Sequence, residues 1–293
     1  LEGRIKGYSQ HFGIYNRDNQ LSVVKKALKA ANVSDQIYPP NKVLKYINQA
    51  KNQLRTPENC LENGRTFTDE VLGSVYREYQ QLLVTNNALD FDDLIGLTVR
   101  ILKDFPEIRE FYQNKFKHIL VDEYQDTNNA QYQLISLLLG EEQNLVVVGD
   151  DDQSIYKFRG ADVTNILDFQ SDYPNSKIIR LEQNYRSTKN ILAGASAVVA
   201  KNRDRLGKTL WTQNEAGELI DLFQSRNERA EGQWVAEKIR AITTGDKTKR
   251  SDIAIFYRTN AQSRAMEDAL RKKDIPYRIY GGLSFYQRKE IKD

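Results

Sequence analysis

The chain has 293 residues, 40% hydrophobic and 28% charged, with a net charge of +3. That is length enough for two globular domains, and the small charge neither demands nor excludes nucleic acid. A single cysteine (Cys60) rules out an internal disulfide, and a content of only two histidines argues against a zinc site; with no signal peptide or membrane span, the chain reads as intracellular and cytoplasmic.

Residues 1 to about 90 read as helical, with no strand. Leu21, Val24, Ala27 and Leu28 recur at helical spacing behind Asn16 and Asp18, which are suited to cap. Pro39-Pro40 breaks the chain before Val43, Leu44 and Ile47. Thr56-Pro57-Glu58 supplies a capping hydroxyl and then proline at the first helical position. Val71, Leu72, Val75, Tyr79 and Leu82 predict a long amphipathic helix. Asp90 is placed to cap the next one, with Phe91, Leu94, Leu97 and Ile101 as its apolar stripe. Asp92 and Asp93 fall in its first turn, where the helix dipole favours negative charge, and that structural role accounts for them.

From Lys117 the pattern alternates. Strands are predicted near 118–122, 145–149 and 177–182, with helices near 128–139, 162–171 and 188–201. After a polar linker from Thr212 to Gly217, strands near 219–224, 252–257 and 277–280 alternate with helices near 228–243 and 260–273. Phe285 to Asp293 reads as the opening of a further helix, and its cut-off suggests that the protein continues. Such alternation predicts an α/β fold with a doubly wound parallel sheet. Ligands of such sheets sit beyond the carboxyl ends of the strands. Asp122 and Glu123 lie at one such end, and polar clusters at 149–154 and 182–187 follow two others. Adjacent carboxylates there suit a magnesium–nucleotide site, one holding the metal through water and the other orienting an attacking water.

Basic residues cluster at Lys201, Arg203, Arg205 and Lys208, at Lys247, Lys249 and Arg250, and at Arg271, Lys272 and Lys273; each reads as a solvated face. Gly207-Lys208-Thr209 imitates the end of a phosphate loop, but the position that requires the earlier glycine is Asn202. No other Gly-Lys-Ser/Thr occurs, so the acidic strand end lacks a glycine-rich partner.

Five stretches in order resemble the UvrD/Rep/PcrA family of superfamily 1 DNA helicases. They are Val-Asp-Glu-Tyr-Gln-Asp-Thr at 121–127, Gly-Asp-Asp-Asp-Gln-Ser-Ile-Tyr at 149–156, Leu-Glu-Gln-Asn-Tyr-Arg-Ser at 181–187, Tyr-Arg-Thr-Asn-Ala-Gln-Ser-Arg at 257–264 and Phe-Tyr-Gln-Arg-Lys-Glu-Ile-Lys-Asp at 285–293. The resemblance implies RecA-like parallel sheets flanked by helices (the P-loop NTPase type) with an all-helical inserted subdomain at the N-terminus. Residues 1–86 would be that helical insertion of the first motor domain, 87–180 the remainder of the first RecA-like ATPase domain, and 181–293 the start of the second. ATP and magnesium are the implied cofactors. Asp122 would hold magnesium through its water shell, with Glu123 beside it polarising the attacking water. Gln153 would sense the γ-phosphate, Tyr185 stack on adenine, and Arg186 act as an arginine finger. Tyr156, Phe158 and Arg159 would face single-stranded DNA; many relatives have tryptophan where Phe158 stands, so base gripping would be somewhat weaker. Arg258 and Asn260 are candidate phosphate contacts, with Arg288 and Glu290 further ones. The implied activity is ATP-driven 3′ to 5′ translocation on single strands and at duplex junctions, in repair or replication and alongside proteins of those processes, with no membrane. The isolated chain, lacking the phosphate loop, would be inactive. The motor of a helicase–nuclease, or a non-catalytic DNA-binding or interaction module, remain the alternatives.

Overall fold

The computed structural model describes residues 5, 7–202, 206–244 and 248–280. Two compact units divide the chain, Leu1–Glu215 and Ala216–Asp293.

The first unit opens with a short strand, β1 (Gly13–Tyr15), then helices α1 (Arg17–Ala30), α2 (Pro40–Asn52), α3 (Pro57–Glu62) and α4 (Phe67–Thr85). Local chemistry sets these boundaries. Asn16 and Thr56 each close a reciprocal capping box at the start of α1 and α3, and Pro57 occupies the first turn of α3 as expected. The helices bury one apolar stripe each, bringing Val24, Ala27 and Leu28 of α1 against Val43 and Ile47 of α2 and Val75, Tyr79 and Leu83 of α4.

The expectation of no strand before residue 90 is corrected. β1 pairs in parallel with β2 (Ala88–Asp90), Gly13 opposite Ala88 and Tyr15 opposite Asp90. Three-residue strands are too short to show a period of two, so nothing in the local pattern announces them. Asp90 then caps α5 (Phe91–Asp104) through its bond from the Asp93 N–H, as its position implied. Phe91, expected in the apolar stripe, is instead exposed; Leu94, Leu97 and Ile101 are half-buried, and the buried residues of the helix are Asp93, Val99 and Leu102.

α6 (Pro106–Lys115) leads to β3 (Ile119–Val121), α7 (Asn129–Leu138) and β4 (Leu145–Val147). β3 and β4 pair in parallel, Ile119 with Leu145 and Val121 with Val147. The predicted strands at 118–122 and 145–149 are thus present, and parallel. Two single-turn helices, α8 (Thr164–Leu167) and α9 (Phe169–Asp172), replace the one expected near 162–171. α10 (Lys189–Val199) matches its expectation.

The strand expected at 177–182 does not form, nor do those at 219–224, 252–257 and 277–280. A strand is completed by a neighbour's N–H and C=O groups, and among the described residues these apolar segments join no strand, beyond the Glu182 carbonyl accepting the Trp211 N–H at 3.0 Å. Leu181 and Leu222 are correspondingly exposed. The 181–187 segment instead makes an isolated bridge from Gln183 to Trp211.

In the second unit, α11 (Glu228–Thr243) packs on α12 (Ser263–Lys272) through Ala236, Ile239, Ala269 and Leu270. Gly232 permits the close approach: a Cβ there would lie 2.8 Å from the Ala265 carbonyl oxygen. No helix among the described residues is long and apolar enough to cross a membrane.

Candidate active site

Parallel pairing carries the ends of β3 and β4 to one place. The ladder continues past the strands, with the Val148 N–H on the Val121 carbonyl at 2.8 Å and the Tyr124 N–H on the Val148 carbonyl at 3.0 Å. Asp122 and Glu123 therefore leave the sheet beside Gly149 and Asp150, at the carboxyl edge where α/β proteins collect ligands.

Both carboxylates are exposed. Asp122 Oδ1 accepts the Glu123 N–H at 2.9 Å. Glu123 has φ 49°, in the left-handed region. For a residue other than glycine this costs on the order of 1–3 kcal/mol, and such strain concentrates at functional sites. The sharp turn feeds a 3₁₀ turn over Tyr124–Asp126, in which Tyr124 and Gln125 are buried.

Gln125 ties the two strand ends together. Its Nε2 donates to Glu123 Oε2 at 2.8 Å, and its Oε1 accepts the Asp150 N–H at 2.9 Å. Gly149 makes room for it: a Cβ would sit 2.7 Å from Gln125 Oε1 and 2.7 Å from Ile166 Cδ1. Burial, with the Glu123 charge adding to it, lifts the Asp126 carboxyl above the usual carboxylate range.

Beyond Gly149, Asp150 organises the 3₁₀ turn Asp151–Gln153. Its Oδ1 accepts the Asp152 N–H at 3.0 Å and its Oδ2 accepts Gln153 Nε2 at 2.8 Å. The Lys208 ammonium donates to Asp150 Oδ1 and lies 3.8 Å from Asp152 Oδ2. Burial acts to raise the Asp150 carboxyl, but Lys208 and Gln153 outweigh it and hold it below its ordinary value. Ligand atoms of Asp150, Asp151 and Asp152 lie within 4.8 Å of one another. A lysine already supplies positive charge to that cluster, so Asp122 and Glu123 are the better pair for an oxygen-seeking divalent cation held largely through water. The Gly207-Lys208-Thr209 imitation thus has its lysine committed to carboxylates.

The same loop system braces the aromatic segment. Thr127 C=O accepts the Asp162 N–H at 2.9 Å and Asn165 Nδ2 at 3.1 Å. Asn128, which caps α7, donates to Asn52 of α2 at 2.8 Å. Tyr156 and Phe158 hold their rings 6.0 Å apart with a 33° tilt, and Phe158 is 55% exposed. Arg159 closes their 3₁₀ turn.

Tyr185 and Arg186 are not members of the hydrogen-bond chain from Glu123 to Gln153. Asn184 Oδ1 accepts the N–H groups of Arg186 and Ser187 at 3.0 and 2.8 Å, a turn that presents both side chains outward. The Tyr185 ring is 78% exposed and its hydroxyl donates to Gln183. Arg258 and Asn260 belong to the second unit and are exposed, Asn260 opening a 3₁₀ turn capped by Thr259. Arg203, Arg205 and Lys247 of the basic clusters, and the 285–293 stretch with Arg288 and Glu290, lie outside the described residues. Two contributors escaped sequence reasoning. Lys208 reads in sequence as part of a false phosphate loop and a solvated basic cluster, and Gln125 carries no local signal of burial between two acidic groups.

Comparison with known proteins gives consistent matches along the chain. Residues 2–174 match the UvrD/REP helicase N-terminal domain, and residues 179–293 match the UvrD-like helicase C-terminal domain. The chain is 50% identical over 287 residues to the ATP-dependent DNA helicase PcrA of Bacillus subtilis, covering 98% of the chain and 39% of that protein. It is 46% identical over 299 residues to the ATP-dependent DNA helicase UvrD1 of Mycobacterium tuberculosis, covering 99% of the chain and 39% of the relative. The PcrA of Staphylococcus aureus is 46% identical over 287 residues, again with 39% of its length matched.

Proposed function

This chain belongs to the UvrD/REP helicase family, with an α/β fold of the P-loop NTPase type, and on that footing we propose that it forms part of the motor of an ATP-dependent DNA helicase. The observation that carries the proposal is the meeting of two acidic strand ends, Asp122-Glu123 and Gly149-Asp150, at the carboxyl edge of a parallel pair. Residues 1–86 are read as the helical insertion, 87–180 as the rest of the first motor domain and 181–293 as the start of the second. DNA repair or replication is the setting, the cytoplasm the location, and 3′ to 5′ the direction of movement on single strands; the direction follows the family resemblance.

In this reading Asp122 would hold a magnesium ion, whose positive charge would be set against the negative charge of the phosphates. Glu123 orients the attacking water and accepts its proton. The Gln153 amide contacts the transferring group, and Arg186 neutralises charge spread over its oxygens. Tyr185 offers its exposed ring to the adenine. Tyr156, Phe158 and Arg159 contact single-stranded DNA at strand–duplex junctions, where stacking accepts any base. Arg258 and Asn260 contact its phosphates. A glycine-rich phosphate loop is required as well, and no stretch of these 293 residues has that spacing. Turnover is therefore assigned to the complete protein.

The test is ATP hydrolysis by the complete protein with and without single-stranded DNA. Glu123→Gln should abolish turnover, by about 10³-fold or more, while nucleotide still binds. Unchanged turnover would remove Glu123 from the mechanism. DNA binding without any nucleotide turnover by the unaltered protein would leave a non-catalytic binding module.

A further inference from the structure

The geometry points to Gln125 as a positioning residue that makes the orientation of Glu123 depend on the Asp150–Gln153 turn. The inference rests on the reading of Glu123 as the group that orients the attacking water.

Gln125 is 1% exposed, and both ends of its side-chain amide are engaged. The donor end meets Glu123 Oε2 at 2.8 Å and the acceptor end meets the Asp150 N–H at 2.9 Å. Its orientation is over-determined. Rotating the amide by half a turn would set its N–H₂ against the Asp150 N–H and its oxygen against the Glu123 carboxylate, two repulsive contacts in place of two bonds. Glu123 is itself exposed, so without this bond its side chain would sample several rotamers.

The chain of contacts is continuous. Glu123 accepts from Gln125, Gln125 accepts from the Asp150 N–H, and Asp150 Oδ2 accepts from Gln153 Nε2 at 2.8 Å. Ser154, the next residue, donates to the Gln125 carbonyl at 3.4 Å, and Tyr156 and Phe158 follow within four residues. A shift of this turn on binding nucleic acid moves the Asp150 N–H and, through one buried amide, the Glu123 carboxylate. Gly149 keeps the linkage tight, since a side chain there would occupy the amide's space.

The experiment compares Gln125→Glu, Gln125→Asn and Glu123→Gln in the complete protein, reading ATP turnover with and without a single-stranded oligonucleotide. Gln125→Glu keeps an acceptor for the Asp150 N–H, so the fold has its buried bond, but it sets a second carboxylate against Glu123. Gln125→Asn is too short to reach both partners and serves if the charged variant is unstable in a thermal melt. The expected result is that the ratio of DNA-stimulated to basal kcat falls by about tenfold or more, as small misplacements of a reacting group do, with KM for ATP within about threefold. A purely structural glutamine would lower Tm and leave that ratio alone. Should Glu123→Gln abolish turnover while both Gln125 variants keep the ratio, the inference is overturned and the reading of Glu123 stands. Should Glu123→Gln keep its turnover, the reading itself is lost, and the inference with it.

Discussion

Replacing Lys51 by methionine should destabilise the first unit by about 3–5 kcal/mol, the usual cost of removing one partner from a buried ion pair. Lys51 sits on α2 with its side chain 4% exposed, and its ammonium lies 2.7 Å from both Asp90 Oδ2 and Asp93 Oδ1. Tyr79 of α4 donates to Asp90 at 2.9 Å, and Gln80 donates to Asp93 at 3.2 Å. Burial alone would lower the lysine's affinity for its proton, but the two carboxylates outweigh it and raise its pKa, so the ammonium stays charged. Asp90 is held below its ordinary value, Lys51 and the hydrogen bonds outweighing burial. Asp93 is held above it by burial, with the Asp90 charge adding to that effect. At 2.7 Å and an effective dielectric near 20 the Coulomb attraction is roughly 6 kcal/mol per contact, against which the desolvation of the three charges is set. Asp93 limits the loss, because it can take up a proton once the ammonium is gone. Asp93→Asn should cost much less, about 1 kcal/mol, since Lys51 and Asp90 then remain as a one-to-one pair. Urea unfolding followed by circular dichroism measures both variants, and hydrogen exchange of α2 and α5 amides assigns the transition to this unit. A change within about 1 kcal/mol for Lys51→Met would refute the reasoning, and would mean that water reaches the triad.

Asp92 gives a pH signature. Burial, and then the neighbouring Asp90 charge, push its carboxyl from 3.8 up to about 6. A folded value above the unfolded one gives stability that is complete below pH 4 and lost as pH rises through 6. Asp92→Asn should therefore stabilise the protein at pH 7–8, by about 1–2 kcal/mol after solvent screening, and flatten its stability between pH 4 and 6; denaturant midpoints across that range provide the check. Gly149→Ala should cost about 1–3 kcal/mol, because its Cβ meets Gln125 Oε1 and Ile166 Cδ1 at 2.7 Å; an unchanged thermal midpoint would show that the turn gives way freely. Phe158→Ala should weaken single-strand affinity by about 1–3 kcal/mol, read by fluorescence anisotropy, and equal affinity would make its ring a packing element only.

What the sequence made legible follows the range of the forces involved. Caps at Asn16, Thr56 and Asp90 form with groups three residues away, and the structure has all three. The apolar residues of α1 and α2 recur within one helix and mark its buried face. Apolar runs such as 252–257 are different. They announce a segment that could enter a sheet, but the strand exists only if another segment lies alongside, and Phe256 is 94% exposed and lies in no strand among the described residues. β1 fails in the opposite sense. Its pairing with β2 bridges more than seventy residues, while its three residues carry no period of their own.

The candidate site divides along the same line. Asp122, Glu123, Gln153, Tyr185 and Arg186 stand within recognisable sequence motifs. Those motifs specify residue types at short spacing and are silent on what holds each side chain. Lys208 reaches Asp150 across 58 positions, and Lys51 reaches Asp90 across 39. A lysine in a sequence looks like a solvated charge until the fold sets it between carboxylates, and its position in a motif-like stretch can mislead, as Gly207-Lys208-Thr209 does. Gln125 shows the limit most sharply. It lies inside the most recognisable motif of the chain, two residues from Glu123, yet its second partner is the backbone of Asp150, 25 positions away. Burial turns this neutral side chain into a link, because an amide enclosed between a carboxylate and an N–H can satisfy both in only one orientation. Residues proposed to touch a substrate are therefore singled out by local pattern, whereas the residue proposed to aim them emerges only once the parallel register of β3 and β4 brings the two turns together.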